Sequence, residues 1–167
     1  MIRKPKIELK LTTTDKVIEI TGWSIILGIW ILILYNYYKI PERIPIHYNI
    51  FGKADNFGGK ANILILPIIS TILFIGLTIL NKFPHIFNYL ETITKENAPS
   101  QYTNATRTIR ILKLVIAIIF GLIVFQTLHN TNTDNGLGIW FLPFMFGVIF
   151  IPLIYFLIKS AKTKNNK

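Results

Sequence analysis

Cysteine is absent from this 167-residue chain, which rules out disulfides, thiolate catalysis and cysteine-based metal sites. Charge is scarce as well. Asp, Glu, Lys and Arg make up 16% of the residues, against about a quarter in an ordinary soluble domain. Only 8 residues are acidic while 18 are Lys or Arg, so the formal net charge is +10. The remainder is apolar: 51% of the chain is hydrophobic and the mean hydropathy is +0.48. The charges gather into patches, and the gaps between them approach the roughly 20 helical residues that cross about 30 Å of hydrocarbon.

Four such runs stand out, Val17–Tyr38, Ile63–Leu80, Ile111–Leu128 and Leu137–Ile158. Ile, Leu, Val and Phe surround each helix rather than forming one stripe, the pattern of lipid-facing segments. The expected fold is therefore all-α, an integral membrane protein of four transmembrane helices with both termini on the cytoplasmic side. It divides into a basic arm (1–16), two spans joined by an outer loop (17–81, loop 39–62), an interfacial connection (82–110), a helical hairpin (111–158) and a basic tail (159–167). Basic residues stay inside. This orientation leaves only Lys39, Arg43, Lys53 and Lys60, of the 18 Lys and Arg, on the outside.

Aromatic residues fit that frame, with Tyr35, Tyr37 and Tyr38 at the exit of the first span and Trp140 and Phe141 near the outer end of the fourth. The first run is longer than the 7–15 residues of a signal-peptide core and is expected to remain as an anchor. Flanking cations explain the basic pI better than nucleic acid does, since no recognition motif accompanies them. Glu19, Asn36 and Gln126 lie near run boundaries and are expected to snorkel, leaving no ionisable group at the centre of a run. Pro67, Pro143 and Pro152 are expected to kink their helices.

Between the first two runs lies a dense polar loop, Ile40–Lys60. Pro41 and Pro45 impose extended backbone on the residues before them. Ile44, Ile46 and Tyr48 alternate with Pro45, His47 and Asn49, giving a short strand-like stretch whose apolar face packs on the spans. Gly52, Gly58 and Gly59 mark turns, with Asp55 and Asn56 bonding to nearby amides. The candidate ligand- or partner-binding, or loop-structuring, residues are Pro45, His47, Asn49, Gly52, Asp55 and Lys60. His47 with Asp55, His129 and Asp134 is the one grouping with metal or proton-switch chemistry. Its spacing matches no metal motif, and the expectation is that His47 donates to a backbone carbonyl, with no metal or other cofactor implied.

The arrangement P-x-x-I-P-I-H-Y-N-x-x-G-x-A-D-x-F-G-x-K, Pro41 to Lys60, resembles the signature of the membrane family called domain of unknown function 1648. The matching positions are Pro41, Pro45, His47, Asn49, Gly52, Asp55, Gly58 and Lys60, with Phe57 where that family has Trp, and the resemblance is strongest over residues 20–75. The domain also opens SdpI-type immunity proteins, so the resemblance implies protection from a membrane-active peptide. Those proteins are longer and carry a second signature that this chain lacks.

In the middle connection, Pro84 is expected to open an interfacial helix through Thr94. Asn97 is expected to cap a second helix with Pro99 in its first turn. The expected function is a non-enzymatic, multi-pass protein of a bacterial inner membrane, acting through its outer loop on a peptide or membrane-protein partner. A small transporter or accessory subunit is the alternative, weakened by the absence of an inverted repeat. No nucleophile–base pair points to an enzyme. Topology reporters fused at the C-terminus and after Lys95 should read as cytoplasmic, and one inserted in the loop 39–62 as external; the opposite pattern would reverse the orientation.

Overall fold

The computed structural model describes residues 4–129 and 136–162, with side chains through residue 160. Helix α1 (Thr13–Asn36) leads through a 3-10 turn to a hairpin of strands β1 (Arg43–Tyr48) and β2 (Ala54–Gly59). Helices α2 (Ile65–Leu80), α3 (Ala98–His129) and α4 (Phe141–Lys162) follow. All four helices are long and apolar enough to cross a membrane once the 3-10 turns flanking α1 and α2 are included. The all-α expectation thus holds for the bundle and fails for the loop, where an antiparallel pair forms.

Helix α3 is central and packs against α1, α2 and α4. Toward the hairpin end, Ile29, Ile33 and Val124 of α1 and α3 form one core with Ile40, Ile44 and Ile63 of the loop. Side chains such as Leu27, Ile31 and Leu34 on α1, Ile72 on α2 and Ile151 on α4 point outward. An unpartnered apolar surface on this scale belongs in lipid.

The spans start and end differently from the runs read in the sequence, for identifiable reasons. Helix α1 begins four residues early because Thr12 and Asp15 form a capping box, with Asp15 N donating to Thr12 Oγ1 at 3.2 Å and Thr12 N to Asp15 Oδ2 at 3.0 Å. Pro67 and Pro143 are the third residues of their helices, where an amide has no intrahelical acceptor to lose, so they start the helices instead of kinking them. Among the described residues only Pro152 lies inside a helix.

Glu19 does not snorkel. It turns inward onto α3, where Lys113 Nζ donates to Glu19 Oε2 at 2.6 Å and to Thr78 Oγ1 of α2 at 2.5 Å. One helical turn away, Arg107 Nε donates to Asp15 Oδ1 at 2.9 Å, and Arg110 lies between the two carboxylates, 3.8 Å from Asp15 and 3.3 Å from Glu19. Lys113 is 1% exposed and Asp15 2%. Burial and pairing thus replace snorkelling at this end, while Glu19 and Lys113 both stay near the starts of their runs: α3 continues straight through the boundary assumed at Ile111 and carries Lys113 into the bundle.

The interfacial helix expected from Pro84 to Thr94 does not form. A single 3-10 turn at Pro84–Ile86 gives way to irregular chain, because Ile93 is drawn into a core with Ala98 and Tyr102 and Tyr89 OH donates back to Pro84 O at 2.8 Å. Ile7 and Leu9 of the N-terminal arm complete that core, and Tyr102 OH donates to Pro5 O at 3.0 Å. Asn97 precedes α3 as expected, yet its side chain accepts from Thr94 N at 2.9 Å and donates to Thr92 O at 3.0 Å instead of capping forward.

Removing one member of a buried ion pair strands the other charge. Lys113→Met should lower stability by about 3 kcal/mol in detergent unfolding, and adding Glu19→Gln should recover part of that loss.

Candidate functional site

The hairpin is built by local rules and then fixed to the bundle. Pro45 faces Phe57 across the strands, and Arg43 and Ile44 face Gly59 and Gly58. Register then shifts on both sides of His47, which pairs with Asn56, leaving Ile46 and Asp55 as unopposed residues. Such bulges twist a ribbon and re-aim its side chains. The alternation expected from Ile44 to Tyr48 holds at its ends, where Ile44 is buried and Tyr48 half-buried. It breaks at the bulged Ile46, which is 45% exposed.

His47 meets Asp55 across the ribbon, Nδ1 to Oδ1 at 2.5 Å, so its partner is a carboxylate and not the backbone carbonyl expected. The pair is open to solvent, 66% and 40% exposed. His129 stacks on Phe125 at the end of α3, and Asp134 lies outside the described residues. Among the described residues no group of three His, Asp or Glu is placed to hold a metal.

Asn49 organises the turn: its Oδ1 accepts from Phe51 N at 2.9 Å and Lys53 N at 3.1 Å, and Gly52 N donates to Asn49 O at 2.8 Å. Asp55 is thereby left for His47, while Asn56 Oδ1 accepts from Phe57 N at 2.9 Å. At the base, Lys60 clasps Glu42 twice, Nζ to Oε1 at 2.6 Å and N to O at 3.0 Å.

Two contacts dock the ribbon on the C-terminal half. Gly52, at φ +72°, accepts from Leu137 N at 2.6 Å, and a Cβ on Gly52 would lie 2.4 Å from Gly138 O. Tyr48 OH shares a 2.8 Å hydrogen bond with Thr127 on α3; burial pushes this phenol's pKa up and the Thr127 bond pulls the other way, so it stays protonated at neutral pH. Between hairpin and helices remains an apolar cavity of about 340 Å³, lined by Ile46, Tyr48, Ile63, Leu66, Phe141 and Met145, with His47, Asn49, Asn62 and Thr127 at polar positions.

Pro45, His47, Asn49 and Gly52 therefore all border one cavity, whereas Asp55 acts on it through His47 and Lys60 closes the ribbon from its base. Sequence reasoning missed Thr127, Leu137 and Met145, because no spacing links them to the loop. The Gly136–Gly138 pair was the one available signal of a close backbone approach.

Residues 24–71 match the family model described as Domain of unknown function (DUF1648), a segment that takes in the whole hairpin. An uncharacterized protein from Archaeoglobus fulgidus is 25% identical over 158 residues, covering 86% of this chain and 83% of that protein. No solved structure matches.

An alanine at Gly52 would meet both left-handed strain, about 1–2 kcal/mol, and the Gly138 backbone. Gly52→Ala should therefore speed hydrogen exchange at the Leu137 amide by about tenfold or more, while amides in mid-α3 stay protected.

Proposed function

We propose that this chain is a non-enzymatic membrane protein that recognises a membrane-active peptide at its hairpin, in the manner of an immunity or sensing protein. In this reading the hairpin faces the outside of the cell membrane, an orientation that the distribution of basic residues supports. The observation that carries this reading is the apolar cavity beneath a fastened ribbon whose tip presents Ile50 and Phe51, 68% and 56% exposed. An amphipathic peptide has apolar side chains to place in such a cavity and polar groups for the His47–Asp55 pair at its rim. The docking to Gly52 and Tyr48 pre-organises the ribbon, so that little ordering cost falls on binding.

A transporter or accessory subunit is the second reading. It draws on the buried Glu19–Lys113 pair, since ionisable groups within spans mark ion and substrate paths.

Survival should be scored for cells with and without the protein on exposure to membrane-active peptides from related strains. The expected result is protection that His47→Ala and Phe51→Ser both weaken at unchanged membrane abundance. Protection against no peptide, together with substrate flux in vesicles that fails in Lys113→Met, would replace recognition by transport.

A further inference from the structure

The cavity beneath the hairpin is walled by helices that leave it a side entrance. Its walls come from the first turn of α2, the first two turns of α4 and the last two turns of α3, and its roof is the ribbon. Helices α2 and α4 each pack on α3 but share no packed interface with one another, so a gap separates them along α3. Ile46 and Ile65 line the cavity and are nevertheless 45% and 47% exposed, so its wall continues onto the outer surface of the bundle. Met145 lies one turn inside α4 and Ile123 under two turns inside the end of α3, about 6 and 9 Å deep, the level at which lipid chains begin beneath their headgroups.

The polar groups on the wall already have work. Tyr48 OH and Thr127 Oγ1 share one hydrogen bond, Asn49 Oδ1 holds the turn amides, Asn62 Nδ2 donates to Gly59 O at 2.8 Å, and His47 is matched by Asp55. Among the described residues, no buried side-chain polar atom without a partner lines this cavity, and its lining holds no Lys or Arg. The interior therefore offers apolar contact and no fixed cation for a carboxylate. Its volume of about 340 Å³ is over twice the roughly 150 Å³ that takes benzene in an apolar protein cavity, which leaves room for a segment of alkyl chain. Apolar walls hold no water, and an empty hollow forfeits dispersion contacts all around it.

We infer that the cavity houses a hydrocarbon chain of a bilayer phospholipid, which enters sideways between α2 and α4 and leaves its headgroup at the rim beside Asn62 and His47. Such lipids are the solvent at this depth, so mass action fills the site without a tight contact. A free fatty acid brings the same chain with a carboxylate that the wall does not pair. The inference stands on the cavity and its entrance and goes beyond peptide recognition: the chain is the resident that a peptide's apolar side chains have to displace.

The test uses the full-length protein in phosphatidylcholine vesicles doped with a phosphatidylcholine that carries a photoactivatable diazirine in the upper part of one chain. Adducts are mapped by mass spectrometry after irradiation. They are expected on Tyr48 of the hairpin and Ile123 of the central helix, as well as on the outward-facing Ile31 and Phe146, 58% and 50% exposed. Met145→Trp fills the cavity from α4 and Leu66→Phe from α2; each should abolish the adducts at Tyr48 and Ile123, while unchanged labelling of Ile31 and Phe146 reports an intact bundle. Wild-type adducts confined to Ile31 and Phe146, or adducts at Tyr48 and Ile123 that survive both variants, would overturn the proposal. Labelling of Tyr48 and Ile123 by a diazirine fatty acid, with loss of the phospholipid adducts when unlabelled fatty acid is added, would reassign the cavity to the free acid and overturn the phospholipid reading. Protection in the survival assay without these adducts would sink this inference alone, and adducts without protection would sustain it while recognition fails.

Discussion

Helices in a bilayer gain nothing from burying apolar surface against one another when lipid tails solvate that surface equally well. What holds this bundle in one arrangement is the polar ladder between α1 and α3, where Asp15 and Glu19 on successive turns meet Arg107, Arg110 and Lys113. A charge there without its partner is far costlier than a missing methyl group, so the ladder sets both the rotation and the axial position of α1. Thr78 extends the ladder to α2 through Lys113. Asp15 is used three times over, as capping-box member, as acceptor for Arg107 and as neighbour of Arg110.

With α1 fixed at one end, the loop that follows it has a defined place to land at the other. Ile40 and Ile44 complete a core already started by Ile33 and Val124, and Tyr48 finds Thr127 because α3 presents it in its last turn. The two ends of the bundle thus differ in kind. One is closed by charge and by an arm of chain folded over it, the other by a ribbon over an apolar hollow.

The four long apolar helices were legible because a bilayer imposes a length and a composition that few other environments do. Their ends were not, since Asp15 and Glu19 look the same in sequence whether they reach for water or for an arginine on another helix. The i, i+4 carboxylates of α1 and the three-residue spacing of Arg107, Arg110 and Lys113 were the available signal; they mark facing stripes only once the two helices are known to touch. In the loop, Ile44 and Tyr48 obeyed a period of two, and the bulge at Ile46 did not, because bulges answer to the partner strand. The stretch after Pro84 had helical spacing of apolar residues but was claimed by Tyr89, Ile93 and the N-terminal arm, a tertiary demand that local pattern does not carry.

The joint between the hairpin turn and residue 137 is made by main chain, Gly52 O with Leu137 N, and by glycines that let the two backbones touch. The side chains of Ile50, Phe51 and Lys53 are exposed, and among the described residues the hydrogen bond that makes this joint uses none of them. A fastening that ignores side chains leaves the tip free to diverge between lineages, so that new surfaces can be tried there without unlatching the scaffold beneath.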